Sequence, residues 1–192
     1  MDFAAILSRV IRAARLDASL YQEAESDTSL TPEAIVVVVI AALLSGIGSA
    51  LGAIIGGQGI GALFIGLIVG VVLAVVVYFI WAFITYFIGV NIFQGTADYG
   101  ELQRTLGYAY APTALGLLGF IPCVGPLFSI AGPIWALVCG VIAVREALDF
   151  DTTKAVLTVI IGWIIGLIIS AVIGTVLGIG TVGLGALRGA LQ

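Results

Sequence analysis

The sequence contains no histidine, and only 9% of its 192 residues are charged. The missing histidine removes the commonest metal ligand, the usual haem ligand and the most frequent general base. A soluble domain carries about 25% charged residues, so this chain has too few to cover a water-facing surface. Its two cysteines, Cys123 and Cys139, lie inside an apolar stretch with neither CxxC nor disulfide-framework spacing. Both are expected to be small buried apolar residues. No block of lysine and arginine exists, which argues against nucleic-acid binding. The formal net charge is −4. The start does not read as a signal peptide: Asp2 leads it, and Arg9, Arg12 and Arg15 interrupt it.

What is abundant is apolar. Hydrophobic residues make up 61% of the chain, and its mean hydropathy is +1.26. An all-α integral membrane protein follows.

Phe3, Ile6, Leu7, Val10, Ile11 and Ala14 recur at spacings of three and four within residues 2–20, with the three arginines opposite. This segment is too short and too charged to span. It is expected to lie in the membrane interface, where each arginine near an anionic surface contributes about 1 kcal/mol. Packing on the protein's own cytoplasmic face is compatible with that. Residues 21–33 are polar and acidic, and Thr31-Pro32 is expected to open the next helix as cap and first residue.

From Ala34 to Ala97 no residue carries a formal charge. A span needs about 20 residues, so two are expected, 34–55 and 62–89, separated by the glycine turn 56–61. Tyr78, Trp81 and Tyr86 suit the approach to an interface. Thr105–Val144 is also uncharged. As one helix it would be about 60 Å long, twice a bilayer core, and Pro122 and Pro126 break it. Spans at 105–121 and 127–144 are preferred to a re-entrant hairpin, which would also return both ends to one side. The fifth span is 155–178. Residues 1–33 thus form a cytoplasmic helix and linker, 34–178 a five-span domain, and 179–192 a glycine-rich tail. Five spans gather Arg9, Arg12, Arg15, Arg104, Arg145 and Lys154 on one side and leave Arg188 on the other. The positive-inside rule then predicts a cytoplasmic N-terminus and an outside C-terminus.

Candidate sites are few. Gly48/Gly52/Gly56, Gly66/Gly70, Gly162/Gly166 and Gly174/Gly178 have the spacing that lets helices approach closely; packing within one chain is the preferred reading over a homo-oligomer interface. Pro112 is expected to kink the third span, freeing the Tyr108 carbonyl, with Tyr108 and Tyr110 beside it. Asp98, Glu101, Arg104, Arg145, Glu146, Asp149, Asp151 and Lys154 cluster at the cytoplasmic border, as a solvated rim, a docking face or an ion-paired lid joining two loops. No charge lies mid-span, which argues against an ion-coupled pump. Asp98 and Glu101 lack a nucleophile or histidine partner, so no enzyme, metal or cofactor is expected.

Several of these residues carry a resemblance. Gly95-Thr96-Ala97-Asp98-Tyr99, Gly107-Tyr108-Ala109-Tyr110-Ala111-Pro112, Ile121-Pro122, Gly125, Trp135, Arg145-Glu146-Ala147-Leu148-Asp149 and Thr153-Lys154-Ala155 resemble the Yip-one domain of the YIP family (Ypt/Rab-interacting proteins), in its short bacterial form. The likeness covers residues 1–178 and is most specific in 95–155. It implies five spans, a cytoplasmic N-terminus, no enzymatic activity and, for the bacterial form, the cell inner membrane. Eukaryotic relatives act in membrane traffic and associate with Rab-type GTPases and one another. This chain has only about 33 residues before its first span and lacks their Asp-Leu-Tyr-Gly-Pro motif, which puts GTPase binding in doubt. The expected function is a non-enzymatic membrane scaffold acting on lipid, other membrane proteins or itself. Alternatives are a pathway for a small or lipidic solute, and an accessory subunit of a larger complex.

Overall fold

The computed structural model describes residues 3–57 and 60–176, with side chains placed for all but 60–66, 174 and 176. Residues 58–59 of the expected glycine turn 56–61, and the tail from 177 onward, with Arg188 and Gly178, lie outside the described residues. Among the described residues every regular element is a helix: α1 (Phe3–Ala14), α2 (Ala18–Ser26), α3 (Thr31–Ile55), α4 (Ile60–Asn91), α5 (Tyr99–Ala109), α6 (Gly125–Ala147) and α7 (Thr152–Val176). Short and long 3-10 helices occupy Thr28–Leu30 and Ala111–Phe120.

The single helix expected over 2–20 is divided. Leu16 takes a left-handed conformation (φ 62°), and Asp17 caps α2 by accepting a hydrogen bond from the Ser19 amide. Thr31 does not cap α3; Leu30 holds that position, and the Thr31 hydroxyl instead donates to the Thr28 carbonyl. Pro32 does fall in the first turn, where its missing N–H costs nothing.

Among the described residues four helices are long and apolar enough to cross a membrane: Thr28–Ile55, Leu67–Asn91, Gly125–Ala147 and Thr152–Ile173. The expected third α-helical span, 105–121, is instead two elements. α5 starts upstream, at Tyr99, and ends at Ala109, and the chain continues as the 3-10 helix Ala111–Phe120. Pro112 therefore does not kink a helix; it sits in the first turn of the 3-10 helix. Having no N–H, it cannot continue the α ladder to Tyr108. Runs of 3-10 helix beyond three or four residues are uncommon, and packing sustains this one. A Cβ on Gly48 of α3 would fall onto the Gly116 carbonyl oxygen and within 2.7 Å of Leu117 Cα. The two backbones thus touch.

Ile121 is extended ahead of Pro122, and Cys123 turns the chain with φ 68°. Cys123 is exposed, contrary to expectation, whereas Cys139 is buried. α6 begins at Gly125 with Pro126 in its first turn and carries a second proline, Pro133, within it. At its far end Asp149 has φ 54°, and Asp151 caps α7 by accepting from the Lys154 amide at 2.9 Å.

The tightest packing lies at the charged-loop end. Tyr21, Tyr78, Tyr108, Leu20, Leu102, Leu106 and Leu148 are fully buried there. Tyr78 and Trp81, expected near an interface, are inside the bundle, and the Tyr78 hydroxyl donates to the Gln103 carbonyl at 2.6 Å. Further along α7, Ile160, Ile164, Leu167, Ile168 and Val172 are exposed. A contiguous apolar surface of that extent calls for hydrocarbon around it.

Candidate functional site

The polar residues of the N-terminal segment form a connected seam. The Arg9 guanidinium lies 2.9 Å from Glu23 and 2.9 Å from Glu33, and Arg12 lies 2.9 Å from Asp17 and 2.8 Å from Glu23. Glu33, at the head of α3, is only 8% exposed. It also accepts the Tyr108 hydroxyl of α5 at 2.8 Å. A carboxylate this buried needs such partners. Arg104, 4% exposed, donates to the Ala24 and Glu25 carbonyls at 2.8 and 2.7 Å. These are last-turn carbonyls of α2, which lack helical partners and attract a cation. The end carbonyls of α1 are met similarly: Ala13 accepts from Tyr21 at 3.2 Å and Cys139 at 3.5 Å, and Ala14 from the Trp135 indole at 2.9 Å. α1 and α2 are thus pinned to α3, α5 and α6.

This pinning divides the apolar face of α1. Ile6 and Ala13 turn inward, whereas Phe3 is 74% exposed, Leu7 60% and Ile11 42%. Arg15 is exposed and makes no ion pair among the described residues. An apolar cleft of about 200 Å³ runs between α1 and α3, bounded by Phe3, Leu7, Val37 and Ile40.

The remaining candidates have structural partners. Asp98 and Glu101 form a reciprocal capping box on α5: the Asp98 carboxylate accepts the Glu101 amide at 2.8 Å, and Glu101 accepts the Asp98 amide at 2.7 Å. Tyr99 meets the Phe83 and Tyr86 rings edge-on. Gly107 lies against α3, where an added Cβ would come within 2.9 Å of Ala34 Cβ. No ion pair joins the two loops among the described residues. Arg145 pairs with its own neighbour Glu146 at 2.6 Å. Glu146 accepts from Gln22 at 2.7 Å, Thr96 donates to Asp149 at 2.9 Å, and Lys154 stands 5.6 Å over the Phe150 ring. The two loops are joined by the hydrogen bond from the Thr96 hydroxyl to the Asp149 carboxylate rather than by an ion-paired lid.

Sequence reading passed over Glu33, Glu23 and Asp17 as linker acids. Their signal was position: Glu33 is the last charge before the uncharged stretch, where a solvated rim and a buried partner look alike. It also passed over Pro133. Of the glycine stripes, Gly48 and Gly52 face the 3-10 helix and Gly162 and Gly166 face Thr85 and Trp81 within the chain, whereas a Cβ on Gly70 would meet nothing within 4 Å.

Electrostatics make the seam pH-sensitive. The Ser19 hydroxyl first, then Arg12, draws Asp17 down to about 2. Arg12, opposed by partial burial and aided by Arg9, lowers Glu23. Both carboxylates bind fewer protons folded than unfolded, so their contribution is complete above their ordinary range and is lost as pH falls. The thermal midpoint in detergent should therefore drop between about pH 4.5 and pH 2, with a shallower drop for Asp17→Asn. Glu25 works the other way. Burial, then Asp149, Glu101 and Glu146, raise it, so its protonation relieves repulsion at the upper end of that window. An unchanged midpoint across the whole range would contradict the paired seam.

The fold defines a multi-pass, all-helical membrane protein with a polar cap tied across α1, α2, α3 and α5. The sequence profile of the Yip1 domain matches residues 18–174. The chain belongs to the Yip1-domain family. No curated protein and no solved structure matches it.

Proposed function

We propose that this protein is a non-enzymatic organiser of the cell inner membrane, and that α1 is its working surface. The observation that carries this reading is the outward stripe Phe3, Leu7 and Ile11 on a helix whose other side is held by Arg9, Arg12 and Trp135. A helix fixed in that way presents apolar side chains to the leaflet while its own arginines stay neutralised by internal acids. Arg15 remains as the exposed cation for an anionic headgroup. Asp98 and Glu101, engaged in a capping box, favour a structural role over an acid–base one.

The same reading gives the chain five passes. α5 and the 3-10 helix together form the third: eleven α residues and ten 3-10 residues extend about 16 and 20 Å, enough for a bilayer core. The N-terminus is then cytoplasmic and the C-terminus outside. Partners are lipid, a second copy or other membrane proteins, docked on α1 and the junction of α6 and α7 that bears Glu146, Asp149 and Lys154.

The test is cross-linking in native membranes followed by mild-detergent purification. Wild type should recover a defined set of membrane proteins or an enriched lipid. The variant Phe3→Gln, Leu7→Gln, Ile11→Gln, altered only at exposed positions, should fold and lose that set. A strictly monomeric wild type carrying bulk lipid, or an unchanged set with the variant, would refute the reading.

A further inference from the structure

A cavity of about 460 Å³ lies beside the C-terminal half of α1. Val10 and Ala14 of α1 form one wall, Ala111, Leu115 and Leu118 of the 3-10 helix form another, and Trp135 of α6 closes the side. The Trp135 ring is held in place, because its indole N–H donates to the Ala14 carbonyl at 2.9 Å. Leu115 is 38% exposed and Trp135 41%, so the cavity opens on the outer apolar surface of the bundle, where hydrocarbon lies. Among the described residues its lining carries no charged side chain. It is also long: Ala111 to Leu118 covers about 14 Å of 3-10 helix. One cation stands at the α1 end. The exposed residues Phe3, Leu7, Ile11 and Arg15 recur every four positions and form one ridge. The Arg15 amide still bonds the Ile11 carbonyl at 3.0 Å, which keeps Arg15 on that ridge. Val10 and Ala14 form the neighbouring ridge, so Arg15 borders the cavity. Arg15 makes no ion pair among the described residues. The acids of the adjoining seam are engaged elsewhere: Asp17 by Arg12 and Ser19, Glu23 by Arg9 and Arg12, and Glu33 by Arg9 and Tyr108.

We propose that this cavity holds one acyl chain of an anionic glycerophospholipid whose phosphate pairs with Arg15. An apolar cavity of about 150 Å³ already admits benzene. A larger and elongated one, open to hydrocarbon along its length, suits a chain. The guanidinium at its α1 end suits the phosphate that such a chain carries. Charge then selects the head. An anionic head is satisfied by Arg15 alone. A zwitterionic head brings an ammonium as well, and the seam has no free carboxylate to meet it. The proposal deepens the reading of α1 as a membrane-facing surface. It rests on Arg15 meeting a headgroup, and not on Phe3, Leu7 and Ile11 recruiting partners.

The test places the full chain in nanodiscs made of phosphatidylglycerol and phosphatidylcholine in equal amounts. The protein is then released in a mass spectrometer and the lipid that stays bound is weighed. Wild type should keep one lipid, with phosphatidylglycerol favoured about fivefold, the effect of one arginine at an anionic head. Arg15→Gln should keep a lipid but lose the preference. Ala114→Trp, which fills the cavity from its 3-10 wall, should keep none. The variant Phe3→Gln, Leu7→Gln, Ile11→Gln leaves Arg15 and every lining residue of this cavity intact, so it should keep the lipid even where it loses its membrane partners. Four results would each overturn the proposal: a bulk lipid ratio on wild type, an unchanged preference in Arg15→Gln, a retained lipid in Ala114→Trp, or loss of the lipid in the stripe variant. The wild-type comparison of the two lipids holds even where a variant fails to fold.

Discussion

Glu33→Ala should destabilise the detergent-solubilised protein by about 3 kcal/mol. The loss has two sources. Arg9, with its side chain 23% exposed, would keep only Glu23. The fully buried Tyr108 hydroxyl would lose its acceptor. Removing one partner of a buried pair costs about 3–5 kcal/mol, chiefly through the charge left behind. Arg9 is partly hydrated and retains a second acid, which places the effect at the low end. Release of α1 should accompany it, and limited trypsin digestion at Arg9, Arg12 and Arg15 reports that release. The combined variant Arg9→Met, Glu33→Met, Tyr108→Phe should recover much of the stability, because uncharged side chains of similar bulk leave nothing orphaned. Equal trypsin resistance of Glu33→Ala and wild type would show that the seam does not hold α1.

Gly48→Val should be comparably severe for a different reason. The new Cβ would meet backbone, the Gly116 carbonyl and Leu117 Cα, which cannot rotate away as a side-chain tip can. Overpacking a filled site costs about 1–3 kcal/mol, and backbone neighbours favour the upper end. Gly70→Ala is the matched control. Nothing lies within 4 Å of its Cβ position, and alanine is preferred to glycine inside a helix by about 1 kcal/mol. Gly48→Val should lower the thermal midpoint while Gly70→Ala leaves it unchanged or raises it. A tolerated Gly48→Val would mean that α3 and the 3-10 helix do not touch as described.

The two substitutions mark different limits on what could be read from the chain. Gly48 was visible as part of a small-residue stripe, but its facing backbone was not, since periodicity names a surface and not its partner. Pro112 was visible as a break. Whether the chain resumes as an α or a 3-10 helix depends on whether α3 approaches closely enough to favour the narrower form. Arg9 and Glu33 were visible as charges near a membrane border. Their pairing spans 24 residues, and local pattern carries no record of it. Trp81 showed the same ambiguity, because an aromatic residue late in an apolar run suits an interface or a bundle interior equally well.

By itself, the sequence determined the solvent and the element type. A chain with 9% charged residues and uncharged stretches as long as Ala34–Ala97 must place its helices in hydrocarbon, because nothing else satisfies both its side chains and its backbone. Its motifs also determined the family, since Asp98, Pro112 and Arg145 stand in a local order that needs no contacts to recognise. Only the tertiary structure decided which polar groups are spent and which are free. Asp98 and Glu101 are consumed by a cap, and Arg9, Arg12 and Arg104 by the cap helices. The Arg15 guanidinium and the stripe of α1 are left over. Hydrogen bonds and ion pairs depend on groups meeting at about 3 Å, and that proximity is a property of the packed bundle, not of spacing along the chain.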